Sequence, residues 1–369
     1  MIGAHSYITD LIEGRKKGTL VKGALFAMSG LFEMGVKLRN IAFDRQWIKE
    51  KKVEVPVISI GNIIAGGTGK TAFIKRLAKD LSSYGKISIL SRGYRSQIEK
   101  VGGSLHLIEK SRITPDVCGD EAYLLFKSLP EAVLFVGKDR VLNAERAVYH
   151  EADLILLDDG MQYRFLHRDI EVVMLHGEDL YGKGFYLPRG YLRDSPKRLE
   201  KADAIVVNHI HDLNHFHAVE KEVSQWSSAP VIGTRMVPSE VETFCGERHL
   251  DLRGRRIGAF CGLGKPESFF KTVGEMGGVV AEKWILPDHI GPTAESLNLF
   301  VQKCMERGCD IIVCSEKDWV KLSIDQDIPI PIGFLKAEME VVTGKERYRA
   351  LLDSVESLLL QKGAYETLD

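Results

Sequence analysis

The chain has 369 residues, 44% hydrophobic and 27% charged, with a formal net charge of -1. That length exceeds a single typical core, so two domains are expected, in an ordinary globular composition with no global attraction to nucleic acid. Six cysteines without a CxxC pair point to reduced thiols, and exclude a disulfide framework and a zinc site of common spacing.

In chain order, the first feature is a stretch from Ala24 to Phe43. Leu25, Phe26, Met28, Leu31, Phe32, Leu38 and Ala42 recur there with broad helical periodicity. Glu33, Lys37 and Arg39 interrupt it, and the chain has no run of eighteen apolar residues and no cleavable signal, so no membrane span is expected. Residues 1–52 hold ten basic residues against five acidic ones. Two readings fit: a basic amphipathic helix lying on an anionic membrane, or a helix packed on its own domain with a solvated basic face.

Val57-Ile58-Ser59-Ile60 reads as a buried strand. The glycine loop Ala65-Gly66-Gly67-Thr68-Gly69-Lys70-Thr71 follows it, and Phe73, Ile74, Leu77, Ala78 and Leu81 then recur at helical spacing. Strand, glycine loop and helix in that order are the context of a phosphate loop. Gly66, Gly67, Thr68 and Gly69 would wrap backbone N–H groups around phosphates at a helix N-terminus. Lys70 would reach the outer phosphates, and the Thr71 hydroxyl would meet a magnesium ion. Ile64 stands where the usual pattern has its first glycine.

Strands and helices alternate beyond this point. Strands are expected at 87–91, 132–136, 153–157, 171–175 and 204–207, and helices at 122–128 and 140–150. A mostly parallel, helix-covered sheet follows from that alternation. Residues 177–198 form a long loop rich in glycine and basic residues, and Pro230 to Pro238 reads as a connector. A second unit begins at Arg255, with strands at 256–261, 279–285 and 310–314 and helices at 266–276 and 293–307. Residues 346–360 form a last helix. The organisation expected is a basic segment 1–52, a phosphate-loop domain 53–228 and a second α/β domain 229–344 closing over the site. The tail 345–369 would pack back on the phosphate-loop domain.

Leu154 to Leu157 is an apolar run ending in Asp158-Asp159, the second signature of phosphate-loop enzymes, where a strand-end acid helps hold magnesium. Asp120 opens a helix after Gly119. It is either an N-cap or a general base, since phosphoryl transfer to an alcohol needs an acceptor for the hydroxyl proton. His289, beside Asp288, is the histidine best placed to orient a carboxylate, unless it is merely solvated. His209, His211, His215 and His217 lack a ligand frame and read as surface residues.

Several segments occur together in a fixed order. They are Gly61-Asn62-Ile63 before the glycine loop, Ser91-Arg92-Gly93-Tyr94, Gly119-Asp120-Glu121 and Asp158-Asp159-Gly160-Met161-Gln162-Tyr163. Arg168-Asp169, Leu187 to Arg193, and Pro287-Asp288-His289 complete the order, and Gly262 to Glu267 and Ser315 to Asp318 are also similar. In this the chain resembles the tetraacyldisaccharide 4'-kinase (lipid A 4'-kinase) family over nearly its whole length. Met161 and Tyr163 depart from the family motif, which has an aromatic residue and a histidine there. The resemblance implies a phosphate-loop fold and MgATP-dependent phosphorylation of the 4'-hydroxyl of tetraacyldisaccharide 1-phosphate, giving lipid IVA. It implies Asp120 as base with His289, nucleotide on residues 66–71, magnesium on Thr71, Asp158 and Asp159, and acceptor binding by Arg92, Gln162 and Arg193. It further implies a peripheral protein on the cytoplasmic face of the inner membrane of Gram-negative cells, meeting an anionic lipid surface without an obligate protein partner. The competing class is a membrane-recruited switch ATPase or GTPase. Ala65, in place of that ATPase class's lysine, and the lack of an Asn-Lys-x-Asp motif both disfavour it.

Overall fold

The computed structural model describes residues 2–109, 112–263, 266–287, 291–322 and 328–366. The chain divides into two compact units. One holds Met1–Ser91, Asp139–Arg235 and Val341–Asp369; the other holds Arg92–Lys138 and Met236–Glu340.

The first unit is built on parallel strands. Their order across the sheet is Ile87–Ser91, Leu154–Asp158, Val57–Gly61, Ile170–His176, Ala204–Asn208 and then the start of Val231–Thr243. The first five are buried along their whole length, as β-branched, apolar strands covered on both faces should be. Ile60 lies beside Asp158 in register, so the glycine loop and the acid pair leave the sheet at the same edge. In open parallel sheets, ligands bind at the carboxyl ends of the strands. The helix Lys70–Asp80 buries Phe73, Ile74, Leu77 and Ala78. The helix Lys345–Glu366 belongs to this unit, where the Tyr348 hydroxyl donates to Asp80 Oδ2 at 2.7 Å.

The helix Thr19–Asp44 also belongs to the first unit. It buries only Leu25, Ser29, Val36 and Phe43, a stripe one side chain wide. Burying each of the three apolar members contributes roughly 1.5–3 kcal/mol. The Ser29 hydroxyl donates to the Tyr186 carbonyl at 2.7 Å. Leu20, Phe26, Met28, Leu31, Met34 and Leu38 of the same helix are more than half exposed. Its 26 residues are long and apolar enough, by length and composition alone, to cross a membrane. The sequence pattern offered a packed helix or a surface-seeking one; the structure gives one thin packed stripe and a broad exposed apolar face.

In the second unit four strands run parallel in the order Val279–Ile285, Arg256–Cys261, Ile311–Ser315 and Ile332–Thr343. One apolar cluster on it includes Phe269, Phe270 and Val273, and another includes Phe260, Leu297 and Phe300. Two expectations are corrected here. Residues 230–238 are no connector: the strand Val231–Thr243 begins within them, and the boundary between units falls inside it. Gly233 and Pro238 look like breakers, but the strand tolerates both. Residues 92–138 cluster with the second unit, not with the phosphate loop. Contiguity along the chain hid this, because the contacts that decide it are distant in sequence; Ser128, for example, donates to Glu316 Oε1.

Candidate active site

The glycine loop of the first unit joins the strand Val57–Gly61 to the helix Lys70–Asp80. Gly66 has φ +123°, a conformation that side chains rarely adopt, and a Cβ there would meet nothing within 4 Å. The loop is thus shaped by glycine yet left open, as a phosphate cradle at a helix N-terminus must be. Asn62, fully buried, donates from Nδ2 to the Thr68 hydroxyl at 3.2 Å and fixes the loop from behind.

A second segment runs beside the loop. Ala65 N donates to the Tyr191 carbonyl at 2.6 Å, and Arg193 N donates to the Ile63 carbonyl at 2.8 Å. This places the Arg193 guanidinium on Asp159, with Nη1 to Oδ1 at 3.0 Å and Nη2 to Oδ2 at 2.8 Å. Nη1 also reaches Asn62 Oδ1 at 3.4 Å. Lys70 Nζ lies 3.4 Å from Asp159 Oδ1. Burial pushes the Asp159 carboxyl up, but the Lys70 ammonium and the Arg193 hydrogen bonds outweigh it and hold the group well below the usual carboxylate range. Asp159 adopts φ +52°, a left-handed conformation uncommon for a non-glycine residue and one that functional positions tend to tolerate. Asp158 is 2% exposed, and its Oδ2 accepts from the Ser91 hydroxyl at 3.0 Å.

Lys70, Asp158, Asp159 and Arg193 therefore belong to one constellation with the glycine loop. Gln162 joins it, donating from Nε2 to the Asn62 carbonyl at 2.8 Å. Arg92 lies in the second unit, where it pairs with Glu99 at 2.7 Å and stacks over Tyr94. Asp120 is also in that unit, at the start of the helix Asp120–Ser128. Gly119, before it, has φ +90°, and the turn packs against Gly93. Lys321, its side chain only 10% exposed, places Nζ 3.1 Å from Asp120 Oδ2. His289 lies outside the described residues, within the range of numbers that the second unit spans.

Sequence reasoning passed over three partners: Lys321, Asp194 and Arg39. Asp194 is 1% exposed; its Oδ2 accepts from Arg39 Nη2 at 2.6 Å, and its Oδ1 accepts from Asn40 Nδ2 at 2.9 Å. Only the position of Asp194 beside Arg193 in a loop already marked as cationic could have drawn attention to it. Much of that loop's charge is spent within the unit. Lys183 pairs with Glu13 and Asp179, and Arg198 with Asp44. Among the described residues, no group of three or more His, Cys, Asp and Glu side chains is arranged to hold a metal ion.

A model of the family described as tetraacyldisaccharide-1-P 4'-kinase matches residues 21–356. The chain belongs to this kinase family. It is 34% identical to the tetraacyldisaccharide 4'-kinase of Chlamydia trachomatis, over 86% of this chain and 87% of that one. To the enzyme of the same name from Syntrophus aciditrophicus it is 33% identical, over 89% and 92% of the two chains. Among solved structures it is similar to an Aquifex aeolicus LpxK in complex with ATP. The TM-score is 0.69 at 28% identity, covering 93% of this chain and 99% of that one.

The two departures from the 4'-kinase family motif have structural roles in this chain. Met161 is 1% exposed and packs in the core cluster with Ile63 and Leu192. The Tyr163 hydroxyl accepts from Arg140 N at 3.1 Å, at the first turn of the helix Arg140–Tyr149. The Arg140 guanidinium stacks over its ring at 4.8 Å. Tyr163 thus caps a helix. Two further similar segments meet within the second unit, where Gly262 N donates to Asp318 Oδ2 at 2.8 Å and the Ser315 hydroxyl bonds the same carboxylate.

Proposed function

We propose that this protein transfers the γ-phosphate of ATP to the 4'-hydroxyl of tetraacyldisaccharide 1-phosphate, giving lipid IVA, at the cytoplasmic face of the inner membrane. The observation that carries the reading is the Lys70–Asp159–Arg193 cluster beside an open glycine loop, in a chain of this family. The loop N–H groups and the helix N-terminus would hold the phosphates, with Lys70 against the charge that spreads over the transferring group.

The residues present suit magnesium. Mg²⁺ takes hard oxygen donors, usually one or two carboxylates besides substrate phosphates and water, and needs no all-protein cage. Thr71, Asp158 and Asp159 offer a hydroxyl and two carboxylates, and Asp159 is kept anionic by its cationic neighbours. When bound, the ion would neutralise phosphate charge. We assign Arg193 to orienting Asp159 and Gln162 to bracing Asn62, and leave Arg92 as the acceptor-side cation.

In this reading the Asp120 carboxylate accepts the proton of the acceptor hydroxyl as its oxygen bonds to the γ-phosphorus and ADP leaves. Lys321, 3.1 Å from Asp120 Oδ2, and His289 would support that carboxylate. Asp120 and Lys70 belong to different units. The exposed face of the helix Thr19–Asp44 would lie in the interface of an anionic membrane, where the lipid acceptor resides.

The test is transfer of label from γ-labelled ATP to the disaccharide 1-phosphate in mixed micelles, with Lys70→Ala beside the wild type. The wild type should label the lipid, and the variant should turn over roughly 100-fold slower or worse while keeping its melting temperature. Absence of labelled lipid from folded protein would refute the activity. A Lys70→Ala variant as fast as wild type would refute the site.

A further inference from the structure

The helix Thr19–Asp44 does more than expose apolar side chains: its last turns hold the segment that carries Arg193. Asp194 is buried, and a buried carboxylate must be fully paired to be tolerated. Arg39 supplies one partner at 2.6 Å, Asn40 another at 2.9 Å, and Ser195 N a third at 2.9 Å. Two of the three therefore come from the helix. Arg39 Nη2 also donates to Asn40 Oδ1 at 3.3 Å, so the two helix residues brace each other.

Asp194 is covalently next to Arg193, and both backbone N–H groups point at the Ile63 carbonyl, at 3.2 and 2.8 Å. Fixing Asp194 therefore fixes where the Arg193 side chain starts. From there its guanidinium reaches Asp159 through two parallel hydrogen bonds, a geometry far more directional than a single ion pair. Asp159 in turn pairs with Lys70. An unbroken chain of short contacts runs from the helix to the glycine loop, entirely inside the first unit.

The chain has a chemical consequence. Asp159 has two cationic neighbours. If Arg193 withdrew, the carboxylate would be left to Lys70 alone, and each would be drawn from the role the reading above gives it. With Arg193 in place, both oxygens of Asp159 are held by the guanidinium, and Lys70 Nζ lies 3.4 Å from Oδ1.

We propose that Arg39 and Asn40 are positioning residues for the magnesium carboxylate: by holding Asp194 they seat Arg193 on Asp159, so the lipid-facing helix is part of the framework of the phosphate site. The proposal rests on the assignment of Asp159 to magnesium and of Lys70 to phosphate. It assigns the C-terminal turns of the helix a task that membrane attachment alone does not require.

The experiment compares Arg39→Ala/Asn40→Ala with wild type by calorimetric titration of a non-hydrolysable ATP analogue, with and without Mg²⁺. A purely structural loss would weaken both titrations alike or lower only the melting temperature. Misplacement of Asp159 should reduce the strengthening that Mg²⁺ confers by roughly 10-fold or more, because partners behind a metal ligand carry effects of that size. In the mixed-micelle assay kcat should fall by a similar factor, while flotation with anionic vesicles stays as in wild type. Arg39→Lys, which keeps one charged contact, should recover part of the Mg²⁺ effect. If the double variant does not fold, Asn40→Ala alone should show the same change to a smaller degree. An unchanged Mg²⁺ effect in folded protein overturns the proposal. Lys70→Ala separates the two failures: if it is inactive while the Arg39 and Asn40 variants are normal, only this proposal falls, and if it is fully active, the site assignment falls first.

Discussion

Asp159 faces both Lys70 and Arg193, and its environment makes a pH prediction. Its carboxyl is held below the ordinary range despite burial, because Lys70 and Arg193 favour the ionised form. The folded protein therefore binds that proton less readily than the unfolded chain does. The stabilisation is complete above the ordinary aspartate range near 4 and is lost progressively as pH falls below it. Asp159→Asn should lower stability by roughly 1–3 kcal/mol at pH 7, the worth of hydrogen bonds to a charged group. The gap between variant and wild type in urea midpoint should narrow towards pH 3; a gap independent of pH would contradict this account. Lys321 yields a second expectation. It faces Asp120 at 3.1 Å with little exposure, so Lys321→Met removes the cation and keeps much of the bulk. We expect kcat to fall roughly 10-fold, with nucleotide affinity unchanged, since the change orients no part of the glycine loop. Equal kcat in the two proteins would make the pair an ordinary ion pair. In the sequence, Lys321 is one lysine among many, whereas Lys70 and Asp159 announce themselves. The glycine loop is written in consecutive residues and the acid pair at a strand end, but Lys321 and Asp120 are joined only by the folded chain.

At the scale of elements, the strands and helices of the first unit are legible because each carries its own period. The sequence also marks the glycine loop, since strand, glycines and amphipathic helix agree. What periodicity cannot tell is which face of an apolar helix finds a partner. Thr19–Asp44 reads as a broadly periodic helix interrupted by Glu33, Lys37 and Arg39, and only the structure shows that Leu25, Ser29, Val36 and Phe43 face inward. Leu20, Met28, Leu31, Met34 and Leu38 remain more than half exposed, the face proposed to meet lipid. Changing Phe26, Leu31, Met34 and Leu38 to serine should therefore reduce binding to anionic vesicles several-fold while leaving the melting temperature within a few degrees of wild type. Raising salt should weaken wild-type binding further, through the basic residues around the helix. Undiminished flotation of the variant would show that this face does not meet the membrane. Deleting the whole helix is a poorer test, because it also removes Arg39, Asn40 and the buried stripe.

At the scale of the molecule, the proposed base Asp120 falls in the second unit and not with the glycine loop. The sequence places Asp120 and His289 some 170 positions apart, which suggests that only closure of one domain over another could join them. The structure puts Asp120 in the unit that also holds the residue numbers 236–340. The residues proposed to hold nucleotide and magnesium, Lys70, Thr71, Asp158 and Asp159, all lie in the other unit. Two consequences follow for variants. Asp120→Ala and His289→Ala should leave ATP binding close to wild type, because neither residue belongs to the phosphate loop. Each should lower kcat for the lipid acceptor by roughly 100-fold or more, in the range that general-base catalysis contributes. If the pair acts as one base, the double variant should be little slower than the slower single one, since residues that act together lose their effect together. The measurement is a double-mutant cycle on kcat with nucleotide affinity titrated separately. Losses that multiply fully would give His289 an independent role, such as holding the acceptor. A large fall in ATP affinity on changing Asp120 would instead make it a metal ligand, and the unit that carries the base would have to be reassigned.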